Sequence, residues 1–172
     1  MIYGKILIVD DEAEVLRLLG IELCAEGYTV IKARSGGEAI AMARNLSPDL
    51  MVMDILLPDM NGAEAIKILK SDLKTKDIPV IFLTAVLKKE KEAVLFHPHL
   101  IISKYLLDGM NADKLVDLLR GMPQIKNLPI VIYSNTIMGG EREAVVKAGA
   151  TDFLADTSAI KLLKKANEIL RG

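Results

Sequence analysis

Short apolar runs alternate with helical patterns along the whole chain. Runs rich in Ile, Leu, Val and Met predict seven β-strands, at 5–9, 28–32, 50–53, 79–83, 100–103, 129–133 and 152–154. Apolar residues that recur every three or four positions predict helices at 12–26, 36–46, 62–73, 87–96, 111–121, 141–149 and 158–170. Gly27 and Gly149 are typical of residues at which a helix stops.

The alternation of strands and helices predicts an α/β fold. Repeated βαβ units give a doubly wound parallel sheet with right-handed crossovers. No Ser- or Pro-rich linker divides the chain. A separate βαβα half could not bury both faces of its own short sheet, so we expect one continuous sheet of about seven strands.

An internal repeat relates residues 48–85 to residues 98–135 by a shift of 50 positions. Nine of the 38 aligned positions are identical; Leu56 meets Leu106 and Asn61 meets Asn111. Any two βαβ units share a hydrophobic pattern, which explains part of this match. The exact matches of the Met60-Asn61 pair, of Lys76 and of the prolines favour a duplicated βα segment on the C-terminal side.

Two of the predicted strands end in carboxylates. Asp10 and Asp11 follow strand 5–9, and Asp54 follows strand 50–53. The carboxyl ends of parallel strands line one edge of the sheet, where ligands bind, so these three groups are expected to meet. They would repel one another unless a hard divalent cation such as Mg²⁺ lay between them. Taken singly, Asp10 and Asp11 could cap the first helix and Asp54 could be solvated.

Further motifs accompany these carboxylates. The segments Ile-Val-Asp-Asp-Glu (8–12), Met-Asp-Ile-Leu-Leu-Pro-Asp-Met-Asn-Gly (53–62) and Phe-Leu-Thr-Ala (82–85) closely resemble the receiver domain of bacterial response regulators. The resemblance covers residues 1 to about 122 and is of the chemotaxis-regulator type. It implies a flavodoxin-like receiver fold, here enlarged to about seven strands.

The resemblance also implies roles for individual residues. Asp54 matches the phosphoacceptor, which takes a phosphoryl group from a sensor histidine kinase or phosphotransfer protein. Asp10 and Asp11 match the acidic pair that holds Mg²⁺, with Asp54 and the backbone carbonyl of Leu56 as further ligands. Thr84 matches the hydroxyl that bonds the phosphoryl group, and Lys104 matches the lysine that pairs with it. Asp59 and Glu64 are interpreted as parts of a solvated loop and helix start.

The C-terminal part departs from the family pattern. Ile101 stands at the aromatic switch position, and Tyr105 stands where the family usually has proline. Residues 123–172 are expected to form a βαβα extension, which resembles the second half of a receiver, and to continue the same sheet as the receiver domain, 1–122. Phe153 occupies the aromatic position there, but Asp156 stands at the lysine position, so this copy could not neutralise a phosphoryl group.

Together these features predict a response regulator of a two-component phosphorelay, read out through contacts with a downstream protein. Its only expected chemistry is self-phosphorylation and autodephosphorylation at Asp54, so we do not expect an enzyme. One alternative is an unphosphorylated pseudo-receiver that acts as an interaction scaffold. A metal-dependent phosphatase would share the acidic cluster, but it needs a general acid two residues after the nucleophile, where Leu56 stands.

Composition and charge limit the classes of binding partner that we expect. The net charge of −1 provides no basic field for nucleic acid. We expect neither nucleic acid nor membrane binding, and either a monomer or a homodimer. No signal peptide or membrane-length apolar stretch is present in the sequence, so a cytoplasmic location is expected. The single cysteine, Cys24, fits a reducing compartment and is expected to be a buried thiol.

Overall fold

The computed structural model describes residues 4–84, 98–107, 110–123, 126–134, 139–155 and 158–171. The chain divides into two compact units, Met1–Phe82 and Leu83–Gly172. The helix predicted at 87–96 lies outside the described residues. These two units are defined by compactness and not by sequence resemblance. They do not test the receiver domain expected at 1–122 or the extension expected at 123–172, and both of those stay predictions. Within the described residues, no helix is long and apolar enough to cross a membrane.

The first unit is a parallel sheet with helices between its strands. Its elements are β1 (Lys5–Val9), α1 (Ala13–Ala25), β2 (Thr29–Ala33), α2 (Gly36–Leu46), β3 (Leu50–Met53), α3 (Gly62–Ser71) and β4 (Val80–Thr84), which ends in the second unit. The strand order is β2-β1-β3-β4, and all three pairings are parallel. The chain therefore moves from β1 to β2 on one side and returns to β3 on the other. With right-handed crossovers, α1 and α2 lie on opposite faces.

The core of this unit follows from its strand composition. Ile6, Leu7 and the whole of β3 are fully or almost fully buried, so both faces of the central strands are covered. Parallel strands covered on both faces are expected to be continuously apolar, which is the pattern of these runs. The reversal of strand order between β1 and β3 creates a crevice at their carboxyl ends, the usual ligand position in open α/β sheets.

The second unit is built in the same way. Its elements are β5 (Leu100–Lys104), β6 (Leu106–Leu107), β7 (Met110–Asn111), α4 (Ala112–Arg120), β8 (Ile130–Tyr133), α5 (Glu141–Lys147), β9 (Asp152–Leu154) and α6 (Ala159–Arg171). The strands β5-β8-β9 are adjacent in that order and parallel. The described chain thus has seven parallel strands, which confirms the α/β class and the predicted strand number. The short antiparallel ribbon β6-β7 was not predicted, because two-residue strands carry no periodic signal.

The internal repeat is visible in the backbone. Leu56 pairs with Asn61 in an isolated antiparallel bridge, and Leu106 pairs with Asn111 in the ribbon, 50 residues later. The N–H of Met51 donates to Pro79 at 2.9 Å, and the equivalent N–H of Ile101 donates to Pro129 at 3.0 Å. Matching hydrogen bonds at matching positions go beyond a shared hydrophobic pattern, so they support the duplicated βα segment.

A half-buried cation at the end of each repeat supports the same conclusion. Lys70 in α3 donates to the carbonyl of Ile78 at 3.0 Å. Arg120 in α4, 50 residues later, donates to the carbonyl of Leu128 at 2.8 Å. In both copies the basic side chain secures the turn that leads from the helix to the next strand, since carbonyls withdrawn from water need a donor.

The helix ends match the glycine signals, whereas the cysteine prediction was wrong. Gly27 and Gly149 have φ of 88° and 102°, which places each in the left-handed conformation just after α1 and α5. Cys24 is exposed. It lies beside buried Leu23, on the outer side of α1, which shows that an apolar helix can carry its small residues on the solvent face.

Candidate functional site

The end of β1 carries the first two carboxylates of the site. Asp10 N–H donates to Ala33 of β2 at 3.2 Å, which holds the residue at the sheet edge. Its Oδ1 accepts from the N–H of Glu12 at 2.8 Å, where the chain turns into α1. Glu12 is the N-cap of α1 and makes no side-chain capping bond. Asp10 therefore shapes the helix entry, as an N-cap residue would, without occupying the N-cap position.

Asp54 is fixed beside these residues by the neighbouring strand. Its N–H donates to the carbonyl of Val9 at 2.9 Å, so the end of β3 is tied to the end of β1. Its Oδ1 accepts from the N–H of Ile55 at 2.7 Å, and the side chain is half-buried. A carboxylate that is oriented by backbone donors and only partly solvated is suited to a defined chemical role.

The three carboxylates meet as predicted. One carboxylate oxygen from each of Asp10, Asp11 and Asp54 lies within 4.8 Å of the others. The first two come from the end of β1 and the third from the end of β3, on either side of the strand-order reversal. This group contains only oxygen ligands, which is the donor set that hard cations such as Mg²⁺ prefer.

The electrostatics of the group favour a cation. Burial raises the pKa of Asp54 to about 6; the N–H groups of Ile55 and Leu56 lower it, and the charges of Asp10 and Asp11 raise it. The pKa of Asp10 is also raised, chiefly by burial. A bound divalent cation would offset both the desolvation and the mutual repulsion. The residues present therefore fit a metal site.

Gly62 allows the helix after Asp54 to approach the strand end. A Cβ atom on Gly62 would lie 2.6 Å from the carbonyl oxygen of Asp54 and 3.1 Å from Cα of Ile55. Gly62 N–H donates to Ile55 at 2.8 Å, and Asn61 caps α3 through the N–H of Ala63. Any side chain at position 62 would displace the backbone that carries the proposed acceptor. The sequence indicates Gly62 only as the first residue of the predicted helix 62–73, because a close approach of two backbones has no local signal.

The loop that follows Asp54 has an anchor that we did not predict. Asp59 was interpreted as a solvated loop residue; its two carboxylate oxygens accept from the N–H groups of Gly36 and Gly37, each at 2.8 Å. These bonds lower the pKa of Asp59. They tie the loop to the N-terminus of α2, which favours a carboxylate through its free N–H groups and its dipole. The Gly36-Gly37 pair before a helical pattern was the available signal.

The remaining predicted residues lie at strand ends. Thr84 is the last residue of β4, and Lys104 is the last residue of β5, where it is half-buried and in register with Tyr133. Leu56 directs its N–H toward Asp54, and its side chain is 49% exposed. The approach of Thr84, Lys104 and the Leu56 carbonyl to the phosphoacceptor or the metal stays a prediction.

Comparison with known proteins identifies the family. Residues 6–96 match the family model of the response regulator receiver domain. The chain belongs to the response regulator receiver family. Protein PilH of Pseudomonas aeruginosa is 42% identical over 81 residues, which cover 47% of this receiver and 67% of PilH. The polar-differentiation response regulator DivK of Brucella ovis is 42% identical over 88 residues, which cover 51% of this receiver and 72% of DivK.

Solved structures show the same fold. The N-terminal domain of a response regulator receiver protein from Methanoculleus marisnigri is 30% identical, with a TM-score of 0.50 over 72% of this chain and 98% of that one. The receiver domain of a sensor histidine kinase from P. aeruginosa is 19% identical, with a TM-score of 0.53 over 99% of both chains. At that identity the likeness concerns the fold alone. That protein was solved with a magnesium ion coordinated in its active-site cleft.

The family match includes most of the predicted site residues but not Lys104. The matched residues, 6–96, include Asp10, Asp11, Asp54, Leu56 and Thr84, and they end before Lys104. The protein is therefore a receiver of the response-regulator type, which is consistent with two-component signalling. Receivers of this family bind Mg²⁺ at an acidic pocket and interact with histidine kinases or phosphotransfer proteins and with downstream targets.

Proposed function

We propose that this receiver accepts a phosphoryl group on Asp54 in a Mg²⁺-dependent reaction. The observation that carries the proposal is the meeting of Asp10, Asp11 and Asp54 within 4.8 Å at the ends of β1 and β3. Asp10, Asp11 and Asp54 would hold the cation, with the Leu56 carbonyl as a further ligand. When bound, Mg²⁺ would neutralise charge on the carboxylates and on the incoming phosphoryl group.

The chain's own residues supply the nucleophile and its orientation. Oδ1 of Asp54 accepts from the N–H of Ile55, which leaves Oδ2 to attack phosphorus while the bond from phosphorus to the donor breaks. With acetyl phosphate as donor, the leaving group is acetate and the product is an aspartyl phosphate. The attacking group must be ionised, and a pKa of about 6 leaves most Asp54 ionised at neutral pH even without a metal.

Thr84 and Lys104 are proposed to act on the transferred group. A hydroxyl at the end of β4 and an ammonium at the end of β5 would each bind a phosphoryl oxygen and offset its charge. A phosphoryl group adds about −1.5 to −2 charge at pH 7, enough to reorganise the nearby loops. The donor would be a histidine kinase or phosphotransfer protein, and the signal would be read by a downstream protein. Self-phosphorylation and autodephosphorylation are the only chemistry proposed, and a cytoplasmic location stays a prediction.

Incubation with acetyl phosphate and Mg²⁺ tests the proposal by intact mass. We expect the wild type to gain one phosphoryl group, and Asp54→Asn to gain none. Asp77→Asn, which changes an exposed carboxylate after α3, is the matched control and should gain the same mass as wild type. An unmodified wild type, or a modified Asp54→Asn, would contradict the proposal.

A constitutive scaffold is the second candidate, and one observation favours it. The family match ends at residue 96, before Lys104, so the residue expected to pair with the phosphoryl group lies outside it. A scaffold would show no Mg²⁺ binding and no change in oligomeric state with beryllofluoride. Measurable Mg²⁺ binding that is lost in Asp54→Asn would exclude it.

A further inference from the structure

The second copy of the repeat contains polar groups where the first copy is apolar. Tyr105 and Asp113 stand 50 residues after Ile55 and Ala63, and both residues of the first copy are buried, at 0% and 2% exposure. The backbone around them is the same, since Gly62 donates to Ile55 at 2.8 Å and its counterpart in α4 donates to Tyr105 at 2.9 Å. Two apolar core positions in one copy have therefore become polar in the other.

A third polar group joins them from the neighbouring helix. Glu141 is the first residue of α5, which packs against α4, the helix that carries Asp113 in its first turn. Glu141 is only 6% exposed. Burial raises the pKa of the Tyr105 hydroxyl, and the negative charges of Asp113 and Glu141 raise it further. The two carboxylates therefore lie on helices that pack together, and both act electrostatically on the same phenol.

Both carboxylates have an oxygen that no donor satisfies. Oδ1 of Asp113 and Oε2 of Glu141 are buried and have no hydrogen-bond partner in the described part of the chain. Their positions at helix N-termini account for the sign of the charge, since the dipole favours carboxylates there. The dipole does not supply a hydrogen bond to these oxygens. Buried carboxylates without partners are rare, because each one loses its hydration and gains nothing in exchange.

Two basic side chains of the second unit, Arg142 and Lys165, are engaged with other partners. Arg142, next to Glu141, donates to the carbonyl of Phe153 and to Asp152. Lys165 of α6 pairs with Asp152 at 3.1 Å and with Glu168 at 2.8 Å. The charge of the two carboxylates is therefore not offset by these cations, and a cation from solution would fill that role.

We propose that Asp113 and Glu141, beside the Tyr105 hydroxyl, bind a hard divalent cation such as Ca²⁺ or Mg²⁺ in the second unit. All candidate ligands are oxygen atoms, the donor type of these cations. The site is distinct from the group of Asp10, Asp11 and Asp54, and it lies outside the residues that match the receiver family. Bound cation would hold the N-termini of α4 and α5 together.

Terbium luminescence tests the proposal, because Tb³⁺ binds in calcium-type sites and is excited through a nearby tyrosine. The measurement uses the full chain with Asp54→Asn, which disables the first site. We expect saturable emission excited through Tyr105 and displaced by millimolar Ca²⁺ or Mg²⁺. Tyr105→Phe should abolish the emission, and Tyr28→Phe should leave it unchanged.

Variants of the two carboxylates complete the test. Asp113→Ala and Glu141→Gln should weaken Tb³⁺ binding at least about tenfold, since even outer partners of metal ligands contribute that much. Asp113→Ala introduces the side chain that the first copy carries at Ala63, so the fold accommodates it. Without metal it should raise the melting temperature, whereas a merely structural carboxylate would lower it. Asp117→Ala, an exposed change on the same helix, is the control.

Two results would overturn the proposal. One is Tb³⁺ binding of unchanged affinity in both Asp113→Ala and Glu141→Gln. The other is emission that millimolar Ca²⁺ and Mg²⁺ fail to displace, which would mark binding of the lanthanide only. Neither result depends on whether Asp54 is phosphorylated.

Discussion

At the scale of single residues, Asp54 combines a buried environment with a function that needs its charge. Backbone donors orient the carboxylate, while burial and two neighbouring carboxylates disfavour its ionised form. The ionised carboxylate of Asp54 is therefore unfavourable in the metal-free protein, and a bound metal ion would relieve this cost by offsetting the negative charge. The same environment makes the folded state sensitive to pH.

Replacing Asp54 by Asn should stabilise the metal-free protein at neutral pH. The folded-state pKa of about 6 lies above the ordinary value of 3.8, so the folded chain holds the proton more tightly than the unfolded chain between these values. Stability therefore falls as pH rises from about 4 to 6, and by pH 7 the carboxylate costs about 2 kcal/mol after allowance for its partial exposure. Asp54→Asn removes this cost.

Urea denaturation in metal-free buffer measures the difference. We expect Asp54→Asn to exceed the wild type in stability at pH 7 and to match it near pH 3, where Asp54 is mostly protonated in both states. Asp77→Asn is the control and should follow the wild type. Equal stability of Asp54→Asn and wild type at pH 7 would show that the environment of Asp54 is less unfavourable than the structure indicates.

Gly62 is the residue on which the packing of the site depends most directly. A methyl group there would lie 2.6 Å from the backbone oxygen of Asp54, which cannot move aside as a side chain could. Gly62→Ala should reduce the free energy of unfolding by about 2 kcal/mol or more and weaken Mg²⁺ binding. Gly121→Ala, where the nearest atom lies 3.4 Å from the added carbon, should change stability little. Thermal denaturation and Mg²⁺ titration test both variants.

At the scale of elements, the loop between β3 and α3 is held at both ends and in the middle. Leu56 pairs with Asn61 across the loop, and Asn61 caps α3. Asp59 in the middle ties the loop to the N-terminus of α2. The same loop carries the backbone that follows Asp54. The hydrogen bonds from Asp59 to α2 should therefore influence how rigidly the metal-binding residues are positioned.

Asp59→Ala should loosen this loop without unfolding the unit. We expect faster amide hydrogen exchange at Gly36 and Gly37, whose N–H groups lose their acceptor, and Mg²⁺ binding weakened by several-fold. Glu64→Ala, which removes an exposed carboxylate from the first turn of α3, is the matched control for charge. If both variants weaken Mg²⁺ binding equally, the effect comes from charge rather than from the anchor.

At the scale of the whole molecule, the chain contains the same βα segment twice, with different residues at the carboxyl end of the strand. In the first copy Asp54 directly follows β3, and in the second Lys104, at the equivalent position, is the last residue of β5. The family resemblance assigns Lys104 to the chemistry of the first copy, while the family match ends before it. The role of this lysine decides how much of the chain takes part in phosphoryl transfer.

Lys104→Met separates the two possibilities. If Lys104 binds the phosphoryl group, the variant should keep Mg²⁺ binding and accept phosphoryl groups from acetyl phosphate at least about tenfold more slowly, since charge stabilisation of this kind commonly contributes that much. Lys114→Met, an exposed change on α4, should have no effect. An unchanged rate in Lys104→Met would show that Lys104 takes no part in the reaction.

The central strands and the acidic ends could be predicted because their signals are local. β3 was predicted with the same limits, 50–53, and β1 with the limits 5–9, since a strand buried on both faces is a continuous apolar run. The positions of Asp10 and Asp54 at adjacent strand ends then followed from the parallel topology. By contrast, Cys24 was expected to be buried, because a wide apolar stripe on α1 does not show which of its residues face the sheet.

The sequence by itself determined the α/β class, the repeat and the carboxylates that could meet, because periodicity and strand-end chemistry are written in neighbouring residues. Only the tertiary structure decided the anchor of Asp59 on α2, the backbone contact that requires Gly62, and the unsatisfied oxygens of Asp113 and Glu141. Each of these depends on atoms far apart in the chain that packing brings together. The free energy of each contact depends on the distance between its atoms and on their burial in the folded chain, and a pattern of neighbouring residues indicates neither.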